Sequence, residues 1–141
     1  MGVADYNLLT PLIAFALWGA VPILFLFFAR AGAMAGGKRA INTFKPVGDT
    51  DTLDAFSRAH MNTLENLPIF AVVYLAAIWT HAEVPILTLG WVILGARIAQ
   101  SGVHLLNRSP MGVRVRALLF AVQVICFIWL GVQALRVTLA A

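Results

Sequence analysis

Residues 8–29 and 117–135 contain no charged side chain, and this restricts the possible folds more than any other feature of the chain. An α-helix rises 1.5 Å per residue, so about 20 apolar residues cross the ~30 Å hydrocarbon core of a bilayer. Each uncharged run has that length. Two further stretches, 53–80 and 84–106, are also long enough but include polar residues. With 61% hydrophobic and 11% charged residues over 141 positions, almost nothing remains for a soluble domain. Membrane-spanning strands would be about half as long and would alternate in polarity, a pattern the sequence does not contain. The expected fold is all-α: an integral membrane four-helix bundle in one domain over 1–141, with helices near 8–30, 54–80, 84–107 and 112–138.

The run Ala31, Gly32, Ala33, Met34, Ala35 resembles a small-residue cleavage site. The flank before the first apolar run, however, holds Asp5 and no basic residue, whereas a cleavable signal begins with positive charge. The first segment is therefore expected to be retained as a helix. Cys126 is the only cysteine, so it forms no internal disulfide and is expected to pack as a small apolar residue.

The basic residues are unevenly placed. Arg30, Lys38, Arg39, Lys45 and Arg58 flank the first two helices, and Arg108, Arg114 and Arg116 surround the last turnaround. The middle loop around His81 and Glu83 has no Lys or Arg, and only Arg136 lies near the carboxyl end. The positive-inside rule then places the first and third loops in the cytoplasm and both termini outside, as in a bacterial inner membrane. The net charge of +4 follows from this arrangement. Because the cations are divided among juxtamembrane turns, nothing points to nucleic-acid binding. In the long first loop, Gly36, Gly37 and the stretch from Lys45 to Gly48 should break helix, and Asp51 or Asp54 should cap the second helix.

The polar residues inside the apolar segments are ordered. At 100° per residue, Arg58, Asn62 and Glu65 share one face of the second helix, and Arg97, Gln100, Ser101 and His104 share one face of the third. The two helices run in opposite directions, so Glu65 and Arg97 reach similar depth and are expected to meet. On the fourth helix, Gln123 follows Arg116 by seven residues. An ionisable group at mid-bilayer costs roughly 2.5–3.5 kcal/mol on insertion scales. Two explanations stay open: architectural pairing that fixes helix contacts, or a polar ligand site in the cytoplasmic half of the bundle. His60 points away from the Arg58 face, as a helix–helix residue would. His60, His81 and His104 lie in three separate segments, so no metal site is expected from them. The stripes stop at half depth, which disfavours a channel or transporter.

Arg58-Ala59-His60, followed by Asn62 and Glu65 at the opening of the second of four helices, resembles the MAPEG family, the membrane-associated proteins of eicosanoid and glutathione metabolism. The resemblance extends over the chain through the long first loop, the third helix centred on Arg97 and the arginines opening the fourth. It implies a homotrimer that binds glutathione as co-substrate between protomers, on the cytoplasmic side. Residue by residue, it implies glutathione contacts from Arg30, Arg58, Asn62 and Glu65, with Arg97, Gln100 and His104 lining the site. It further implies a fourth-helix arginine that stabilises the thiolate, with Arg114 slightly preferred to Arg116 for that role.

The function implied is a membrane-bound glutathione transferase, with peroxidase activity as an extension, joining the thiolate to a lipophilic electrophile from the bilayer. The sequence also departs from the eicosanoid synthases. Met61 replaces a basic residue, Gln100 and His104 replace a His and a Tyr, and Leu118 or Leu119 stands where a fourth-helix Tyr would be. The comparison is therefore with divergent bacterial-type members. The alternative left open is a non-catalytic lipid-binding or scaffold protein of the same fold.

Overall fold

The computed structural model describes residues 3–37, 40–45, 50–106 and 109–141. Lys38, Arg39, residues 46–49 and Arg108 lie outside these, as do the side chains of Asp5 and Asp51. Four helices account for nearly all of the described chain: α1 (Val3–Ala35), α2 (Asp51–Trp79), α3 (Ile86–Leu106) and α4 (Pro110–Ala140). All four are long and apolar enough to cross a bilayer. The expected all-α membrane bundle is the fold observed.

The helix ends follow local chemistry. α1 continues past Pro11, Pro22 and Gly32 to Ala35, and it stops just before Gly37, which adopts a left-handed φ of 64°, open to glycine without a Cβ clash. The cap of α2 differs from the sequence expectation. Thr50, not Asp51 or Asp54, is the N-cap: its hydroxyl accepts from the Leu53 N–H at 3.3 Å. Asp51 is already the first helical residue, which leaves the cap geometry to its neighbour. α2 ends at a turn in which His81, a non-glycine residue, has φ 51°, and Ala82 N–H closes back on Ala77 O at 3.0 Å. α4 begins with Pro110 just after the cap Ser109, whose hydroxyl accepts from Gly112 N–H at 3.2 Å. Proline suits that position because its missing N–H would have no helical partner there.

α2 and α3 each pack against all three other helices, with α1 and α4 outside that pair. In lipid the hydrophobic effect does little to join helices, so close packing and hydrogen bonds between them must do so. Phe70 of α2 is the centre of an aromatic cluster, 5.1 Å from Phe15 of α1, 5.0 Å from Tyr74 and 5.8 Å from Phe127 of α4 between ring centroids. Ile93, Leu94 and Leu130 complete this buried core. Tyr74 donates to the Leu8 carbonyl at 2.7 Å, and His60 Nδ1 donates to the Gly19 carbonyl at 2.8 Å, so His60 is a helix–helix contact. Large apolar side chains such as Phe27, Phe28, Val72 and Trp79 point outward, as lipid-facing residues do.

Candidate functional site

A cavity of about 450 Å³ opens between α2, α3 and α4, within the range of small-molecule sites. Each helix contributes one stripe. α2 supplies Asn62, Glu65, Asn66 and Ile69; α3 supplies Arg97, Gln100, Ser101 and His104; α4 supplies Val113, Arg116, Ala117 and Phe120. The spacings of three and four residues are those that stack side chains along one helical face. The wall on α3 is polar. Most of the wall on α4, together with Ile69, is apolar and partly exposed to the surroundings of the bundle.

Arg97 dominates the electrostatics. It is 1% exposed, yet its Nε and Nη2 have no hydrogen-bond partner. Its guanidinium lies 5.7 Å from the Phe15 ring centroid, and the Glu65 carboxylate is close enough to act on it through its field. The two do not form an ion pair, because the only contact of that kind among the described residues joins Arg58 to Asp54. The expected Glu65–Arg97 meeting is therefore a shared cavity and not a direct bridge: Glu65 is exposed on α2, whereas Arg97 is turned inward against α1. The backbone around Arg97 is held by Ser101, whose hydroxyl donates to the Arg97 carbonyl at 3.0 Å and accepts from Trp18 Nε1 at 3.3 Å.

α3 and α4 are joined by amides. Gln123 Nε2 donates to Gln100 Oε1 at 3.0 Å and to the Leu119 carbonyl at 2.9 Å. Gln100 Nε2 in turn donates to the Arg116 carbonyl at 3.4 Å, and the Arg116 guanidinium donates to His104 Nδ1. Of the residues singled out from the sequence, Asn62, Glu65, Arg97, Gln100, His104 and Arg116 are brought together in the cavity.

Arg30, Arg58 and Arg114 are not among its lining residues. Arg58 shares a face with Glu65 and directly precedes the lining residue Ala59, but its own side chain is half-exposed and lies 3.9 Å from Asp54. Arg114 points outward from α4. Arg30 donates to the Lys45 carbonyl at 3.0 Å, rests 5.6 Å from the Phe44 centroid and lines a separate groove between α1 and α2. Asn66 is a lining residue that the sequence reading did not single out. Its position one turn beyond Asn62 was the available signal, and its amide donates to the Asn62 carbonyl at 2.7 Å. Among the described residues, no three His, Cys, Asp or Glu side chains cluster as a metal site.

Buried, unpartnered guanidinium nitrogens facing amides and a carboxylate suit an anionic, amide-rich ligand. Residues 8–136 match the MAPEG family as a whole. The chain belongs to the MAPEG family. A search of curated proteins finds no match to it. The family match runs from the first turns of α1 to the last turns of α4, so this MAPEG member carries its cavity wholly within the matched region.

Proposed function

We propose that this MAPEG protein is a membrane-bound glutathione transferase that also reduces lipophilic hydroperoxides. The observation that carries the reading is Arg97, a fully buried cation with two unpartnered nitrogens in a cavity that also holds Glu65 and Arg116. Glutathione offers two carboxylates for guanidinium groups and an ammonium for Glu65. Asn62 and Gln100 suit its peptide groups. Its thiol resembles a free cysteine of pKa about 8.5, and a guanidinium nearby lowers such a value by about 1–3 units.

Arg116 is the better candidate for that guanidinium because it lines the cavity and Arg114 does not. The thiolate sulfur bonds to an electrophilic carbon that arrives along Ile69, Val113, Ala117 and Phe120, either displacing a leaving group as its anion or adding to an activated double bond whose electron pair then takes a proton from water. With a hydroperoxide it attacks the peroxide oxygen and releases the alcohol, and a second glutathione then forms the disulfide with loss of water. Holding a water-soluble thiol beside a lipid-soluble acceptor is mainly proximity catalysis.

Glu65 lies midway along α2 and is exposed in a single chain, a costly position in lipid unless covered. This supports a homotrimer in which a neighbouring protomer closes the site, with Arg30 or Arg58 of that neighbour near its mouth. The uneven distribution of cations supports an orientation with termini outside and the cavity in the cytoplasmic half, which in a bacterium would be that of an inner-membrane protein. A second reading, a non-catalytic lipid-binding or scaffold protein, is favoured by one observation: among the described residues, no aromatic hydroxyl lines the cavity.

The test is calorimetric titration of glutathione into the purified protein, with ultraviolet absorbance of the bound thiolate followed across pH. Wild type and Arg114→Met should bind and show thiolate at neutral pH. Arg116→Met should bind with similar affinity but ionise the thiol about one unit higher or more. Absence of glutathione binding to wild type would replace the enzyme reading with the lipid-binding one.

A further inference from the structure

His104 is linked to the cavity less by its exposure than by its partner. Its Nδ1 accepts from the Arg116 guanidinium, and an imidazole nitrogen can accept only when it carries no proton. The same arginine is fixed at its backbone, where its carbonyl accepts from Gln100 Nε2. The Gln100 amide has a defined orientation because its Oε1 accepts from Gln123, itself tied to the Leu119 carbonyl. Each of these links pairs a donor with an acceptor. Gln123 donates to Gln100, Gln100 to Arg116, and Arg116 to His104, which ends the series with its lone pair.

We propose that His104 is a positioning residue for Arg116, held as the neutral Nε2–H tautomer, and that it aims the guanidinium into the cavity without itself holding glutathione. Arg116 has four rotatable bonds that position its guanidinium and a buried Nε without a partner. The imidazole contact is the only side-chain hydrogen bond fixing the head of Arg116 among the described residues. A planar guanidinium held at one corner presents its remaining N–H groups in a fixed fork. Such preorganisation matters most for charge that develops on ionisation. Glu65 on α2 and Arg97 on α3 are the other charged groups lining the same cavity, and among the described residues neither is hydrogen-bonded to or ion-paired with the Arg116 head. The inference deepens the proposed function and rests on it for its kinetic consequences, while the tautomer can be measured without any ligand.

The experiment has two parts. In ¹⁵N-histidine-labelled protein without glutathione, His104 should show an unprotonated Nδ1 and a protonated Nε2 at neutral pH. Arg116→Met should return it towards a mixture of tautomers. A protonated Nδ1 in wild-type neutral His104 overturns the proposal, whatever the protein binds. The second part compares His104→Leu with His104→Asn, whose side-chain oxygen falls near the Nδ1 position. His104→Leu should lower kcat by about tenfold, equivalent to a thiol pKa about one unit higher, with the KM for glutathione little changed. His104→Asn should recover part of that loss. Equal losses in both variants, or a change confined to KM, overturn the positioning role. Should both variants fail to fold, the tautomer measurement on wild type and Arg116→Met still decides the question. Failure of wild type to bind glutathione would sink the transferase reading alone.

Discussion

The guanidinium carbon of Arg97 lies 5.7 Å from the centroid of the Phe15 ring, so a cation buried on α3 rests against an aromatic face supplied by α1. Such a contact is worth about 0.5–2 kcal/mol, far less than full hydration of a guanidinium. With Nε and Nη2 left without protein partners, the guanidinium is under-satisfied by the protein and an anion would relieve it.

Replacing Arg97 with Met should therefore weaken glutathione binding by about 10–100-fold, as expected for losing hydrogen bonds to a charged group worth about 1.5–3 kcal/mol. The empty protein should melt no lower than wild type, because an uncompensated charge has been removed. Calorimetry and thermal unfolding in detergent measure the two effects. A lower melting point with unchanged binding would make Arg97 architectural.

Gly90 on α3 is packed closely against α1 and α2. A Cβ there would fall 2.6 Å from the Tyr74 hydroxyl oxygen and 2.8 Å from both Pro11 Cβ and a Tyr74 ring carbon. Gly90→Ala should destabilise the bundle by about 1–3 kcal/mol, the usual cost of overpacking, and should break the Tyr74–Leu8 hydrogen bond. Gly95→Ala on the same helix, with nothing within 4 Å, should be neutral or slightly stabilising. Adding Tyr74→Phe should restore only part of the loss, since the ring carbon and Pro11 remain. Unfolding in detergent with increasing denaturant would rank the variants, and equal stability of the two alanine variants would refute the packing argument.

The orientation expected from the cations is open to direct labelling. Cysteines at Gly37 and Glu83, both exposed, should lie on opposite sides of the membrane, with buried Cys126 giving little background. A membrane-impermeant maleimide should label Glu83→Cys from outside, and Gly37→Cys only after permeabilisation. The reverse pattern would invert the topology.

The membrane bundle could be read from the sequence because lipid imposes a simple rule: every backbone group must be satisfied within its own helix, over a fixed length. Runs such as 8–29 and 117–135 meet that rule by composition alone. The polar stripes on α2 and α3 were equally visible, since Asn62 and Glu65, or Arg97 and His104, recur at helical spacing. α4 offered a weaker guide, the single seven-residue step from Arg116 to Gln123. Apolar on nearly every side, it can rotate without penalty as far as its own residues are concerned. The choice of Arg116 over Arg114 as a cavity residue came from its start at Ser109–Pro110 and its amide links to Gln100. The same limit applies to Glu65 and Arg97. Sequence spacing gave them a common depth, but whether two side chains touch depends on how each helix is turned about its axis. That rotation is set by contacts such as Phe15 against Arg97 and Trp18 against Ser101, which join residues more than 80 positions apart.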